Sequence, residues 1–559
     1  MSTATTPARR PADDSAWAPL TSRVFRALWI VQLVSNVGGW MQTVGAQWLL
    51  VGHDAALLTL VQTAASLPVV LLALPSGVLA DRHDRRAVLL AAQAAMAAVA
   101  TALAVLAFAG ALTPGPLLAL TFLLGCGTAV MGPAWQAVQP SLVDRRQLGQ
   151  VAALGAVSMN TARAVGPAIG GAVVAAAGAG WVFAFNAASF LGVALVLKRW
   201  RGPVPEGGPG GPTGGSSGGR SGGRGGAREE GLLAAVQAGR RYVRNAPGVR
   251  RVLLRTALFV PGAGALWALL PLVARRSLGL GPGGYGLLLG AVGVGAVGGA
   301  FALPALRRRL GADGTLTAGT LVLAGVLAVL ATVRVPWLVG LVLLPAGVAW
   351  IVVLSTLNAA VQTRLPGWVR ARALAVHLLV FQGGQAVTAP LWGVLSDGPG
   401  TTTALLAAGA LLLAGAAAAL RLPLHDADGV DPTPSAHWPV PPLAVEPGGA
   451  DGPVLVTVVH RVAPEHRTAF AARMRRVAGS RRRTGALTWG LYQDGGEPER
   501  FVETYLVPSW TEHLAQHAGR LTAGDRRDEE AARALLLPGT VPVVTHAFDV
   551  TAGRFPVGG

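Results

Sequence analysis

Apolar runs of about 20 residues, the length that crosses the hydrocarbon core of a bilayer, recur along the 559 residues. They fall near 24–50, 56–80, 87–110, 115–138, 150–176, 181–199, 252–274, 284–306, 313–333, 336–360, 371–396 and 402–422. That is six, an interruption, and six more. The interruption, Arg201 to Arg228, is rich in Gly, Pro and Ser and predicts a flexible linker. After it, Leu232 to Val243 predicts a short amphipathic helix at the membrane surface. Past Arg421 the pattern changes. Pro423 to Pro453 is a Pro-rich connection, followed by a strand at Val454 to Val462 and a helix at Pro464 to Gly479. Strands follow at Ala486 to Asp494 and Arg500 to Val507, then helical stretches from Ser509 to His517 and on to Leu537, and a last strand at Val541 to Val550. The order β-α-β-β-α-β is the ferredoxin-like unit. The expected fold is therefore an all-α polytopic membrane protein of twelve helices in two six-helix halves, with a small C-terminal α+β domain. Its segments are a tail (1–22), a first bundle (23–200), a linker (201–230), the amphipathic helix with a second bundle (231–422), a Pro-rich linker (423–452) and a soluble domain (453–559).

Composition supports lipid as the solvent. Hydrophobic residues make up 52% and charged residues 13%, about half the charge of an ordinary soluble chain. The net charge of +19 would suit nucleic acid, an anionic membrane surface, or a membrane protein with basic cytoplasmic loops. Placement decides among them. Arginines gather in alternate gaps: Arg9, Arg10 and Arg23; Arg82, Arg85 and Arg86; Arg145 and Arg146; the central linker; Arg307 to Arg309; and Arg364, Arg370 and Arg372. The positive-inside rule then puts both termini and the central linker in the cytoplasm, and no nucleic-acid partner is expected. The pair Arg275 and Arg276 is the exception, lying in an outer gap. The polar stretch 1–17 has no signal-peptide pattern, so the first span is expected to be retained. Cys126 is the one cysteine and lies in an apolar run, so no disulfide or cysteine metal site forms within one chain. No P-loop is present, which argues against ATP drive.

The two halves align at an offset of 222 residues. Gly77, Ala80, Arg85 and Arg86 fall on Gly299, Ala302, Arg307 and Arg308; Gln136 on Asn358; Asn160 on Gln382; Gly171 on Gly393. Duplicated halves with a substrate site between them are a recurrent transporter plan.

Two motifs are sharper. Gly77-Val-Leu-Ala-Asp81-Arg82-His-Asp84-Arg85-Arg86 joins the second and third spans. It resembles the cytoplasmic loop signature of the major facilitator superfamily, and the resemblance implies a gate built from Gly77, Asp81, Arg82, Arg85 and Arg86. Asp84 departs from that signature, which more often has Gly there. Gly166-Pro167-Ala-Ile-Gly170-Gly171, in the fifth span, resembles the signature of exporters in the same superfamily, with Ala162 where a further Gly is usual. Small residues let helices approach closely, and Pro167 frees a backbone carbonyl. Phe25-Arg-Ala-Leu-Trp29, Ser35-Asn-Val-Gly-Gly-Trp-Met41, Pro133-Ala-Trp-Gln136, Leu354-Ser-Thr-Leu-Asn358, Val369-Arg-Ala-Arg-Ala373 and Val380-Phe-Gln-Gly-Gly384 resemble the enterobactin-exporter-like branch, often labelled transmembrane secretion effectors. That likeness implies a proton-driven exporter of siderophore-like or drug-like small molecules in a bacterial inner membrane.

Polar residues inside spans are costly and mark candidate pathways. Gln32, Asn36, Thr43 and Gln47 share one face of the first helix, with Gln42 beside them. Gln136, Asn160, Arg163, Asn358, Gln382 and Gln385 complete the candidate cavity, with interhelical hydrogen bonding as the plainer reading. No Asp or Glu lies well inside a span, so the usual buried proton carrier is missing; His377, with Arg163, is the coupling candidate. The C-terminal region resembles the antibiotic-biosynthesis-monooxygenase-like α+β group through Trp489, Ser509-Trp-Thr-Glu-His513 and His517. The histidine pair is one helical turn apart, but no third ligand is evident, so no metal and no cofactor are expected. A regulatory or dimerising module, a domain that acts on the cargo, and a non-transporting scaffold all stay open.

Overall fold

The computed structural model describes residues 15, 17–143, 145–200, 232–424, 431–439, 443–444 and 447–550, the side chains of a few helical residues excepted. In the bilayer each backbone N–H and C=O must be satisfied within its own segment, and the apolar runs accordingly fold as long helices. They are α1 (Arg23–Leu50), α2 (Ala55–Arg82), α3 (Arg85–Phe108), α4 (Pro114–Leu142), α5 (Leu148–Ala177) and α6 (Ala179–Arg199). After α7 (Leu232–Asn245) come α8 (Pro247–Leu272), α9 (Pro282–Thr332), α10 (Pro336–Gln362), α11 (Gly367–Asp397) and α12 (Thr401–Ala419).

Gly311, at φ 67°, breaks α9 into two arms, 282–310 and 312–332. With that break the described residues supply the expected twelve limbs. Nine helical stretches among them are long and apolar enough to span a membrane, the whole of α9 being one. The remaining two limbs are α1, which carries Gln32, Asn36, Gln42 and Gln47, and α5, which carries Asn160 and Arg163. Local signals set several ends. Ser22 Oγ accepts from Phe25 N (3.4 Å) to open α1. Asp84, the departure from the loop signature, opens α3: its carboxylate accepts from Arg86 N (3.1 Å) and Ala87 N (3.3 Å). An acidic N-cap takes over a turn for which a glycine is commoner.

The 222-residue repeat reappears as packing. In α5, a Cβ on Gly171 would lie 2.5 Å from Pro282 O and 2.9 Å from Gly286 Cα of α9. Its counterpart Gly393, in α11, is pressed in the same way against Ala56 and Thr59 of α2. Gly125 of α4 and Gly347 of α10, also 222 apart, meet α2 and α9 respectively. Each half thus offers the other a close backbone contact that only a residue without a side chain permits. Gly166 and Gly170 give α5 a second such contact, against Trp40, Val37 and Met41 of α1.

A second compact unit joins α7, residues 247–256 and 356–378, and the chain from Arg421 onward. Its soluble part contains β1 (Val454–Arg461), α13 (Arg467–Thr484), β2 (Thr488–Gln493), β3 (Arg500–Val507), α14 (Trp510–Ala515), α15 (Ala523–Arg533) and β4 (Val543–Phe548). The sheet is antiparallel with order β2-β3-β1-β4, the ferredoxin-like arrangement. Alternation in β1 and β3 buries Val454, Val456 and Val458 with Tyr505 and Val507 on one face. The domain also grips α7: α13 packs along it, Arg241 pairs with Glu512 (3.7 Å), and the Tyr242 ring meets Trp368 edge-on (5.7 Å). Trp368, at the start of α11, donates to Arg520 O (3.2 Å) beneath the Arg520 guanidinium.

Candidate functional site

A cavity of about 440 Å³ opens among α1 to α6 of the first half and α8 to α11 of the second. Six of the residues expected from the sequence line it: Gln42, Thr43, Gln47, Arg163, Gln382 and Gln385. Gln32 and Asn36 do not. Gln32 Nε2 donates to Asn36 Oδ1 (3.1 Å), and Asn36 Nδ2 donates to Ser158 Oγ (3.1 Å), so this end of the polar stripe ties α1 to α5. Asn160 lies outside the lining, and Gln136 and Asn358 are exposed. The lining also brings in Gln62, Asn186, Trp40, Trp267, Trp350 and Phe381, none of which the first-helix stripe points to. Gln62 and Asn186 carry the same signal as the others, an amide inside an apolar span. The aromatic residues carry none, since a tryptophan in a span reads equally well as lipid-facing.

Much of the amide chemistry is internally satisfied. Asn186 Nδ2 donates to Gln42 Oε1, Tyr285 OH to Gln47 Oε1, and Gln62 Nε2 to Gln385 Oε1 (3.0 Å). Thr63 Oγ1 donates to Ala386 O (2.7 Å). Three of these four bonds run between the halves. The walls are aromatic: Trp40 and Trp267 have centroids 5.9 Å apart, Trp267 and Trp350 5.2 Å, and Trp350 and Phe381 6.2 Å. Arg163 is the one charged residue among the described residues of the lining, its guanidinium 5.4 Å from the Trp40 centroid. His377 is buried in α11 outside this lining, and its Nδ1 has no hydrogen-bond partner.

One end of the bundle is closed between the halves. Asp397, at the end of α11, accepts from Ala55 N and Ala56 N, both at 2.8 Å, and so caps α2 from the opposite half. Asp54, which holds the N-cap position in sequence, makes no such bond. Arg276 donates to His53 O (3.0 Å) and lies 3.9 Å from Asp397. Within the pair that breaks the arginine pattern, Arg276 thus has a local task at this end, where it meets a carboxylate and a loop carbonyl.

Of the loop motif, the side chains of Gly77, Asp81 and Arg82 lie outside the described residues. Arg86 donates through Nε to Leu197 O (3.0 Å) and through Nη2 to Lys198 O (2.7 Å), satisfying carbonyls at the C-terminus of α6. Arg85 is partly buried at the start of α3. Within the motif of α5, Gly166, Gly170 and Gly171 are the close contacts described above, and Pro167 leaves its carbonyl beside Gly286.

The C-terminal domain has a separate cavity of about 290 Å³. His513 and His517 both line it, and β4 adds His546, which the helical spacing could not reveal. His513 Nε2 lies 2.9 Å from His546 Nε2 and 3.2 Å from His517 Nε2, while its Nδ1 meets Gln516 Oε1 (3.1 Å). Burial and the neighbouring imidazoles push His513 down to about 3, and burial lowers His517 and His546 as well. The cluster is a neutral chain centred on His513. Among the described residues no group of three His, Cys, Asp or Glu is arranged to hold a metal ion. Alongside it Arg481 is buried between Glu503 (3.1 Å) and Glu529. Burial alone would raise both carboxyls, but Arg481 overrides it and holds them ionised.

Two duplicated six-helix halves around a polar and aromatic cavity define the major facilitator fold. The chain belongs to the transmembrane secretion effector family, whose profile matches residues 14–212 and 217–553. The second segment runs through the C-terminal domain. Similar curated proteins include the staphyloferrin A transporter of Staphylococcus aureus, 28% identical over 142 residues (25% of this chain, 36% of that one). Macrolide efflux protein A of Streptococcus pyogenes is 31% identical over 116 residues (21% of this chain, 29% of that one). The chain thus spans about a third of the length of the curated relatives it matches. Among solved structures, the nucleoside transporter NupG superposes with a TM-score of 0.57 at 13% identity, covering 71% of this chain and 99% of that one. A bacterial homologue of the lysosomal transporter Spinster, inward-facing and unoccupied, gives 0.55 at 14%, covering 72% and 97%. Identities this low speak for the fold alone.

Proposed function

We propose that the chain is a proton-coupled secondary-active exporter of siderophore-like or drug-like small molecules, seated in a bacterial inner membrane with both termini cytoplasmic. The observation that carries this reading is the cavity lined by both halves and sealed at one end by Asp397 and Arg276. By the arginine distribution that end faces outward, so the bundle is in a state that loads from the cytoplasm. The loop motif of Gly77, Asp81, Arg82, Arg85 and Arg86 would close the opposite end in the other state. The exporter-like motif in α5, and relatives named for macrolide efflux and staphyloferrin A transport, support export over uptake. His377, buried with an unpartnered nitrogen, is the group proposed to carry the proton.

The test is export by the full chain in proteoliposomes. A panel of siderophores and drugs is followed with a pH gradient imposed and then collapsed. Movement of a compound that stops with the gradient, and that His377→Ala uncouples, is the expected result. Movement indifferent to the gradient would overturn the coupling, and no movement of any compound would overturn the transport reading. We read the C-terminal domain as a regulatory or dimerising module, because its edge strands β2 and β4 leave Tyr492, Val543 and Val544 exposed. Light scattering of the full chain, with and without Val543→Lys, tests the dimer.

A further inference from the structure

The cavity has more donors than acceptors left over. The amide pairs Gln42–Asn186, Gln47–Tyr285 and Gln62–Gln385 consume one another's hydrogen bonds. Among the fully buried side-chain atoms of the described lining residues, Nε of Arg163 and Nε1 of Trp267 are two N–H groups with no acceptor. Buried donors without partners are costly, and a buried cation without a counter-charge is more so. Among the described residues no Asp or Glu lines the cavity and no carboxylate pairs with Arg163. The Trp40 ring is the nearest compensation, and a cation–π contact leaves the N–H groups of the fork unused. Trp40 also stands beside Trp267, so the two unfilled donors flank one aromatic wall that continues through Trp350 to Phe381.

We infer that the cargo is an organic anion: a carboxylate or similar acceptor seated between Arg163 and Trp267, on a flat apolar body stacked among Trp40, Trp267, Trp350 and Phe381. The inference rests on the transport reading and names its substrate class. A planar guanidinium matches a carboxylate with paired bonds, which an ammonium does not. A cationic cargo meets repulsion from Arg163 and finds no carboxylate to replace its water. The choice also bears on the missing membrane carboxylate. With the cytoplasm negative, the potential favours an anion leaving by about 2 kcal/mol per charge at 100 mV, so anion export draws on the same field that drives protons inward.

The test uses the full chain in proteoliposomes and three probes of one shape: 1-naphthaleneacetate, its primary amide, and 1-naphthylmethylamine. Binding is read from quenching of tryptophan fluorescence, and movement from uptake into inverted vesicles. The carboxylate should bind at least tenfold more tightly than the amide and the amine. Arg163→Gln should abolish that preference, and Arg163→Lys should restore part of it. A lumen-positive potential across the inverted vesicles, set with valinomycin and an inward potassium gradient and without a pH gradient, should speed carboxylate uptake from the side equivalent to the cytoplasm. Equal binding of the three probes, tighter binding of the amine, no binding of any, or a carboxylate preference that survives Arg163→Gln would each overturn the inference. The two readings separate cleanly. Gradient-driven export of cations indifferent to Arg163 would refute the anion and keep the exporter. Arg163-dependent carboxylate binding with no movement of any compound would do the reverse.

Discussion

Asp397→Ala should open the sealed end of the bundle. The carboxylate makes two bonds of 2.8 Å to the first N–H groups of α2, and its side chain is 31% exposed. Loss of an N-cap costs about 1 kcal/mol, within a range of roughly 0.5–2. The Arg276 contact, at 3.9 Å between two substantially exposed groups, adds about 0–1 kcal/mol. Because cap and partner come from opposite halves, the cost falls on the closed state, while in the open state water serves the freed N–H groups. A bias of about 1–2 kcal/mol shifts the populations about five- to thirtyfold. Cys126 is the one native thiol, so Cys126→Ala with Ala46→Cys, on the cavity wall, provides a reporter. Its labelling by an impermeant maleimide added outside should accelerate by that factor in Asp397→Ala. Asp397→Asn should show a much smaller change, since asparagine caps nearly as well as aspartate and loses only the ion pair. Equal rates in Asp397→Ala and the parent, or equal acceleration in both variants, would refute the assignment of a cross-half cap.

Other expectations follow from the same geometry. Gly171→Val should cut export several-fold, because its Cβ would collide with Pro282 O and Gly286 at a contact where both partners are backbone, whereas Gly192→Val in α6, with open space around it, should export normally in the same vesicle assay. Glu529→Ala should leave Arg481 half-paired in the interior and destabilise the C-terminal domain by about 3–5 kcal/mol; unchanged hydrogen exchange of 454–550 in the full chain would count against it. Acidification should loosen that domain: His513 is neutral in the fold down to about pH 3 but takes up a proton near 6.5 when unfolded, so its contribution is intact above 6.5 and falls by up to about 1.4 kcal/mol per unit below. Hydrogen exchange at pH 7.5 and 5.5 reads this, and His513→Gln should flatten the difference. Asp84→Ala should raise exchange at the start of α3 by an amount matching about 1 kcal/mol, while Asp84→Gly should lose only a few tenths.

The helices were legible because lipid imposes a length and an apolar composition on every span. The strands were legible from alternation; Arg500–Val507 occupies the range that the pattern marks. The cavity was half legible. An amide in a span is conspicuous, so Gln42, Gln47, Arg163, Gln382 and Gln385 could be named, yet nothing local distinguishes Gln47, in the lining, from Gln32, which bonds to Asn36 instead. Trp40, Trp267 and Trp350 were illegible for a different reason: which face of a fully apolar helix turns inward depends on its neighbours, and apolar periodicity is weak where lipid and core are equally oily.

By itself the sequence determined what short-range chemistry determines: the spans, the duplicated halves, the side on which arginines accumulate, and the ferredoxin-like order of the C-terminal domain. Tertiary structure decided which distant groups complete one another. Asp397 caps a helix that begins 342 positions earlier in the chain, His546 joins a histidine pair from another element, and Arg163 faces a cavity in which no described residue offers it a carboxylate. Those relations depend on distances set by helix packing, and packing between small residues in lipid leaves little trace in the order of the residues themselves.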